Sequence, residues 1–164
     1  MAIAWHGRYP LYFEEASEEL GRMIGLSYPD YFEAGLRAPL VEFHIDYFKP
    51  LFLDEEFTVR ASLIWNEGAR LNTEYHLVKQ DNSLASSGYM VQLFTDDKTG
   101  EPFLVSPELL DRVRSGGELA QVRRRLLSLS TGGNRPPLHG MFFGTAAFHQ
   151  AVRMARNEVH PTGA

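Results

Sequence analysis

Apolar residues near the start of the chain recur at helical spacing. Intervals of three and four residues place side chains on one side of an α-helix. The apolar positions that follow these intervals are Tyr12, Phe13, Ala16, Leu20, Met23 and Ile24. Pro10 suits an opening turn, and Gly25 stands where helices commonly end. The pattern therefore predicts a helix over residues 10–24.

The pattern changes to strict alternation after the helix and a turn-rich stretch at 27–39. Residues 41–47 are apolar at odd positions only, which predicts a strand with one buried face. Polar turns of hairpin length separate three further predicted strands, over 57–65, 71–79 and 87–95. Because no helix separates the four strands, they are expected to form an antiparallel meander. One helix cannot cover both sheet faces, so a second copy is expected on the other face or at an edge.

Helical spacing returns in the C-terminal third of the chain. The predicted elements there are helices over 108–114 and 118–129, a Gly- and Pro-rich linker over 131–140, and a terminal helix over 141–155. The sequence thus predicts an α+β body at residues 1–110, with a long antiparallel sheet wrapped around one central helix. Residues 111–164 are predicted to form a basic, helical C-terminal extension.

Composition narrows the chemistry that the chain can carry. A length of 164 residues fits one domain, and the lack of cysteine excludes disulfides, thiolate nucleophiles and Cys-ligated zinc. The motifs of serine hydrolases, zinc proteases, kinases and dinucleotide enzymes do not occur in the sequence. The six histidines are scattered singly, so we expect neither a metal site nor a cofactor. The sequence shows no secretory signal and no apolar run of membrane-spanning length, which predicts a cytoplasmic protein.

The net charge of −5 is unevenly distributed. Residues 1–111 carry 8 basic and 19 acidic side chains, whereas residues 112–164 carry 8 basic and 2 acidic ones. An acidic body argues against nucleic-acid binding, which depends on Lys and Arg at the phosphates. The basic end, with Arg123, Arg124 and Arg125 in a row, leaves three partners open: a small phosphate ligand, an acidic carrier protein and the acidic body itself. The plain alternative is a solvated basic surface.

The segment that enters the first helix has the most informative motif. Residues 3–16 read Ile-Ala-Trp-His-Gly-Arg-Tyr-Pro-Leu-Tyr-Phe-Glu-Glu-Ala. This resembles the 4-hydroxybenzoyl-CoA thioesterase family, in which an Ile/Val-Val/Ala-Trp/Tyr-His/Tyr-x-Asn-Tyr segment enters a helix reading aromatic-aromatic-Glu-x-Ala. Segments at 42–50, 54–59, 69–71 and 85–89 resemble the family in the same order. The resemblance implies the hotdog fold, a helix wrapped by an antiparallel sheet and doubled into a homodimer or homotetramer.

The same resemblance implies a thioesterase that acts on an acyl-CoA or acyl-carrier-protein substrate. A carboxylate would attack the thioester or activate water, while amides at the helix N-terminus stabilise the oxyanion. Those donors would be the amides of His6 and Gly7, and Tyr9 of the same segment is assigned to substrate binding. The candidate cations for the CoA phosphates are Lys49, Arg70 and Lys79. The alternative for each of them is an ordinary surface cation.

The chain departs from the family pattern at the catalytic carboxylate. The family's aspartate lies seven residues before the position matched by His6, upstream of Met1. Three interpretations follow: Met1 is an internal methionine of a longer protein, Glu14 supplies the carboxylate, or the protein binds acyl-CoA or acyl-carrier protein without hydrolysis. For Glu14 the alternative is a helix carboxylate hydrogen-bonded to a nearby loop. Hydroxyacyl dehydration is disfavoured because residues 32–39 contain no histidine, and a module that binds no acyl group would have its tail helix in the pocket.

Overall fold

The computed structural model describes residues 3–115 and 126–130. A 3₁₀ turn at His6–Arg8 is followed by the helices α1 (Tyr9–Ile24), α2 (Tyr28–Glu33) and α3 (Glu108–Ser115). The strands are β1 (Leu36–Arg37), β2 (Leu40–Tyr47), β3 (Glu56–Ile64), β4 (Arg70–Lys79), β5 (Leu84–Leu93), β6 (Thr95–Asp96) and β7 (Leu126–Ser130). The helices predicted at 10–24 and 108–114 and the four predicted strands are confirmed, with ends that differ by up to three residues.

Helix α1 packs its apolar face against the inner face of the sheet. Tyr9, Phe13 and Ala16 are buried there, and the Phe13 ring stacks on Tyr75 of β4 with 4.8 Å between centroids. Burial of one such side chain favours folding by about 1.5–3 kcal/mol. The helix ends at Gly25, whose φ of 74° is the left-handed conformation that glycine adopts without strain. The predicted α+β class, with a sheet around one central helix, is thereby confirmed.

The main sheet has the strand order β2-β5-β4-β3-β7, and every neighbouring pair is antiparallel. Strands β3, β4 and β5 form the expected meander, but β2 pairs with β5. The prediction of one meander through all four strands is therefore wrong for β2. The connection at residues 48–55 is long enough to allow this pairing, because eight residues can reach about 25 Å. Crossing from β2 to β3 requires only about 14 Å at ordinary strand spacing.

Strand β7 pairs with the outer edge of β3, with Leu129 opposite Phe57 and Leu127 opposite Val59. The helix predicted over 118–129 is consequently wrong at 126–129. The Leu-Ser-Leu-Ser alternation at 127–130 has the period of a strand, and the edge of β3 offers unpaired backbone groups. Residues 118–125, the predicted linker and the predicted terminal helix lie outside the described residues.

A second core cluster fills the end of the sheet remote from the start of α1. It contains Tyr31 of α2, Leu110 of α3 and Phe94, which lies between β5 and β6. The stretch at 27–39 is turn-rich in sequence, and the hydrophobic pattern does not predict helix α2 within it. The missed signal is the spacing of Ser27 and Asp30, because the Asp30 carboxylate accepts the Ser27 N–H at 2.7 Å in a capping box. No helix in the described part of the chain is long and apolar enough to cross a membrane.

Candidate functional site

An open cavity of about 540 Å³ lies where α1 begins and β2 ends. Its walls are Ile3, Ala4, Trp5, His6 and Tyr9 on one side and Tyr47, Phe48, Lys49 and Pro50 on the other. The volume falls within the ordinary range for small-molecule sites, and most of the lining is apolar or aromatic. The motif segment at 3–9 and the family-like segment at 42–50 therefore meet in space.

Direct contacts hold the two walls of the cavity together. The Tyr47 hydroxyl donates to the carbonyl oxygen of His6 at 3.2 Å, and the Tyr47 and Tyr9 rings meet edge to face at 4.9 Å. The amide of Ala4 donates to the carbonyl of Leu51 at 2.8 Å, and the amide of Leu51 donates to the Tyr9 hydroxyl at 3.4 Å. Burial raises the pKa of Tyr9 above its ordinary value of 10.0, so its hydroxyl holds its proton even more firmly. Tyr47 thus takes part in the site, although sequence reasoning did not select it.

The turn that opens α1 has two amides ahead of its first internal hydrogen bonds. The N–H of Arg8 donates to the carbonyl of Trp5 at 2.9 Å, and the N–H of Tyr9 donates to the carbonyl of His6. The amides of His6 and Gly7 precede both bonds, as is usual for the first residues of a helix. His6 lines the cavity, and Gly7 lies beneath the Trp5 indole, where a β-carbon would come within 2.4 Å of the ring.

Glu14 lies further along α1 and is not among the residues that line the cavity. Its carboxylate accepts a long hydrogen bond of 3.4 Å from the Tyr28 hydroxyl of α2. Burial and then the nearby Glu14 charge raise the pKa of Tyr28 to about 12, which keeps this phenol a donor. The contact is that of a helix carboxylate held by a neighbouring element.

The three candidate phosphate-binding cations occupy different environments. Lys49 lines the cavity. The Lys79 ammonium lies 2.8 Å from a Glu55 oxygen and donates to the Pro50 carbonyl at 3.0 Å. Arg70 starts β4 and Lys79 ends it, so about 30 Å of strand separates the two residues. Within one chain, Arg70 therefore does not join this cavity.

Comparison with known proteins shows the family. The model of the thioesterase-like superfamily matches residues 5–113. The chain belongs to this superfamily. The match begins at Trp5 and so includes the helix entrance and both walls of the cavity except the first two lining residues. The predicted thioesterase resemblance is confirmed at the level of the thioesterase-like superfamily.

One sequence relative and two solved structures are also similar to this chain. An Aquifex aeolicus (strain VF5) protein named "Putative esterase" is 33% identical over 85 residues, which cover 52% of this chain and 66% of that protein. The chain thus spans slightly less than two thirds of that relative. A DHNA-CoA thioesterase from Staphylococcus aureus superposes with a TM-score of 0.64 at 21% identity, covering 74% of this chain and 81% of that one. Another Staphylococcus aureus protein, solved in complex with CoA, has the same TM-score of 0.64 and 21% identity, covering 71% and 73%.

The charged groups around the site set limits on the chemistry of this thioesterase-like chain. The described residues that line the cavity include no aspartate or glutamate. In the same described ranges, no group of three or more His, Asp or Glu side chains is arranged to hold a metal ion. Within one chain, the cavity therefore offers backbone amides, aromatic walls, the His6 imidazole and one lysine.

Proposed function

We propose that the protein hydrolyses acyl-CoA or acyl-carrier-protein thioesters, as an enzyme of the 4-hydroxybenzoyl-CoA thioesterase type. One observation carries the proposal: the superfamily match covers a 540 Å³ cavity that abuts the first turn of α1. The names of the structural neighbours, a DHNA-CoA thioesterase and a CoA-bound protein, support a CoA-type ligand.

In this proposal the acyl group lies between the aromatic walls, and the thioester oxygen lies at the start of α1. Trp5, Tyr9 and Phe48 supply apolar contact, and Lys49 attracts the phosphates of CoA from the rim. The amides of His6 and Gly7 donate to the oxyanion that forms when the carbonyl is attacked. Loss of one such donor commonly lowers kcat by about 10²- to 10³-fold.

The proposed chemistry is carboxylate-assisted hydrolysis. The carboxylate removes a proton from water, and the oxygen of that water attacks the thioester carbon. The tetrahedral intermediate then expels the thiolate of CoA, which takes up a proton, so the products are a carboxylic acid and free CoA. Glu14 is our candidate base. It lies seven residues beyond Gly7, about 10 Å along the helix axis, so its side chain would have to extend back towards the start of α1 to reach a water beside the thioester carbon.

A second candidate function is acyl-CoA or acyl-carrier-protein binding without hydrolysis. Two observations favour it: the described cavity lining contains no carboxylate, and the Glu14 carboxylate contacts Tyr28 instead. The same amides and aromatic walls would then hold an intact thioester.

We further propose that the working site lies between two copies of the chain. Strand β2 is terminal in the strand order, so one of its edges is unpaired among the described strands, and it ends at the cavity. Large apolar side chains around that end are solvent-exposed in one chain, including Trp5 at 64%, Phe48 at 57% and Tyr47 at 50%. Light scattering on the purified chain tests this: a dimer or tetramer supports it, and a monomer at all concentrations contradicts it.

One experiment separates hydrolysis from binding. The full chain is incubated with aromatic and aliphatic acyl-CoAs in the presence of a thiol reagent, and binding of a non-hydrolysable thioether analogue is measured in parallel. Release of thiol supports hydrolysis, analogue binding without thiol release supports the second function, and neither signal contradicts both.

A pair of helix variants tests the assignment of the base. We expect Glu14→Gln to abolish most thiol release while the analogue still binds, since the amide cannot accept the proton. The matched control is Glu19→Gln, which removes only an exposed pair with Arg22. If both variants release thiol as fast as the parent protein, Glu14 is not the base.

A further inference from the structure

We infer that Lys79 and Glu55 form a clamp that positions the wall of the proposed thioester site, and that Lys79 is a positioning residue rather than a phosphate ligand. The inference rests on the proposed function for its kinetic consequence only. The clamp joins the end of β4 to the connection between β2 and β3, and that connection forms one wall of the cavity.

The Lys79 ammonium is occupied on three sides. It pairs with a Glu55 carboxylate oxygen at 2.8 Å, donates to the Pro50 carbonyl at 3.0 Å and lies 5.1 Å from the centre of the Phe52 ring. Its side chain is only 14% exposed. The Glu55 carboxylate balances the positive charge of Lys79, and the Lys79 N–H donors are already engaged. This lysine is therefore poorly placed to bind a phosphate.

The Glu55 carboxylate closes the turn that Lys79 supports. One of its oxygens accepts the Phe52 N–H at 2.9 Å, while the Glu55 N–H donates back to the Phe52 carbonyl at 3.3 Å. Burial opposes ionisation of Glu55, but hydrogen bonds from Lys79 and the Phe52 amide prevail and lower its pKa. Asp54, inside the turn, has φ 59°, a left-handed conformation that Asp adopts more readily than most residues other than glycine. The Glu55 hydrogen bonds and the Lys79 ion pair both act on this turn.

The clamp reaches the helix entrance through two residues. Pro50, which accepts from Lys79, lines the cavity. Leu51, the next residue, is fully buried and is bonded through its backbone to Ala4 and Tyr9. Lys79 thus holds the Pro50 carbonyl, and the next residue is bonded to the segment at 3–9. That segment supplies the proposed oxyanion donors. Displacement of such donors by about 1 Å is enough to slow a reaction on the order of 10²-fold.

The test compares Lys79→Met with three other variants. Lys79→Arg keeps a cation that can pair with Glu55, Glu55→Gln removes the charge from the other side, and Lys98→Met removes an exposed lysine in a distant turn as the control. Hydrogen exchange of residues 49–55 is measured without ligand. In parallel, kcat and KM are measured with an acyl-CoA over a range of salt concentrations.

We expect Lys79→Met and Glu55→Gln to speed exchange at 49–55 by about tenfold or more, and Lys79→Arg to restore part of the protection. We expect kcat to fall at least tenfold in Lys79→Met, with little change in KM or in its salt dependence. An increase in KM at constant kcat, a weaker salt dependence and unchanged exchange would show that Lys79 binds phosphate and would overturn the inference.

The exchange measurement also separates failure of the clamp from failure of the proposed function. If no acyl-CoA is hydrolysed, the proposed function fails, but faster exchange at 49–55 in Lys79→Met still supports the clamp. If Lys79→Met does not fold, Glu55→Gln gives the same comparison, and unchanged exchange in that folded variant contradicts the clamp.

Discussion

The ring of Phe13 on α1 lies directly over Gly88 on β5. A β-carbon at position 88 would come within 2.8 Å of the Phe13 ring and 2.5 Å of the carbonyl oxygen of His44. The position therefore admits only a hydrogen atom, and this explains the glycine in the family-like segment at 85–89. The close approach sets the distance between the central helix and the sheet.

We expect Gly88→Ala to destabilise the protein by about 1–3 kcal/mol, because the fully buried Phe13 and a backbone carbonyl must both move. Denaturant unfolding followed by circular dichroism measures the loss. The neighbouring Ser87→Ala is the control, and we expect it to stay within about 0.5 kcal/mol of the parent. A Gly88→Ala variant as stable as the parent would show that α1 can shift away from the sheet.

Gly7 and Trp5 provide a test at the helix entrance. A β-carbon on Gly7 would overlap the Trp5 indole, which is 64% exposed and free to swing outward. We therefore expect Gly7→Ala to change the Trp5 fluorescence with little change in stability, and to lower acyl-CoA turnover by about tenfold through the displaced site wall. Comparison with Trp5→Phe separates the fluorescence of Trp5 from that of Trp65. Unaltered fluorescence would contradict the packing of Trp5 over Gly7.

The raised pKa of Tyr75 leads us to expect a loss of stability at alkaline pH. Burial raises its pKa from 10.0 to about 12, and its hydroxyl contacts Ser17. Because the folded state holds this proton more tightly than the unfolded state, the stabilisation is complete below pH 10 and is lost as the pH rises towards 12. The expected loss is on the order of 2 kcal/mol.

Tyr75→Phe isolates that contribution. The phenylalanine ring can keep the stack on Phe13, so the variant should fold, and its unfolding free energy should fall less steeply between pH 10 and 12 than that of the parent. Denaturant titrations at several pH values make the comparison. Identical slopes would mean that the Tyr75 pKa is the same in both states.

Because β7 pairs with the edge of β3, we expect the C-terminal segment to protect that edge from hydrogen exchange and association. We expect a chain that ends at Ser115 to expose the edge of β3, to lose exchange protection at residues 56–60 and to associate at high concentration. A chain that ends at residue 140 keeps β7 and is the control. Equal protection and solubility of the two chains would show that β7 contributes nothing to the edge.

The predictions that succeeded and those that failed depend on different physical signals. Helix α1 and the core strands have strong periodicity because one face of each is buried, so residues 10–24 and 71–79 were predicted within a residue or two of their observed ends. Helix α2 was missed because it is short and depends on the Ser27–Asp30 cap. Strand β7 was mistaken for helix because a strand of five residues at an edge is determined by the pairing partner that it finds on β3.

The sequence by itself determined the fold class, the central helix and the segment at 3–9 that enters it, because burial and helix opening depend on local residue order. Only the tertiary structure decided which residues share a site. It brought Tyr47 and Lys49 to that segment, turned Lys79 towards Glu55 and left Arg70 at the far end of β4. The physical reason is that strand pairing and the crossover at 48–55 join residues about 40 positions apart, and no local pattern specifies that pairing.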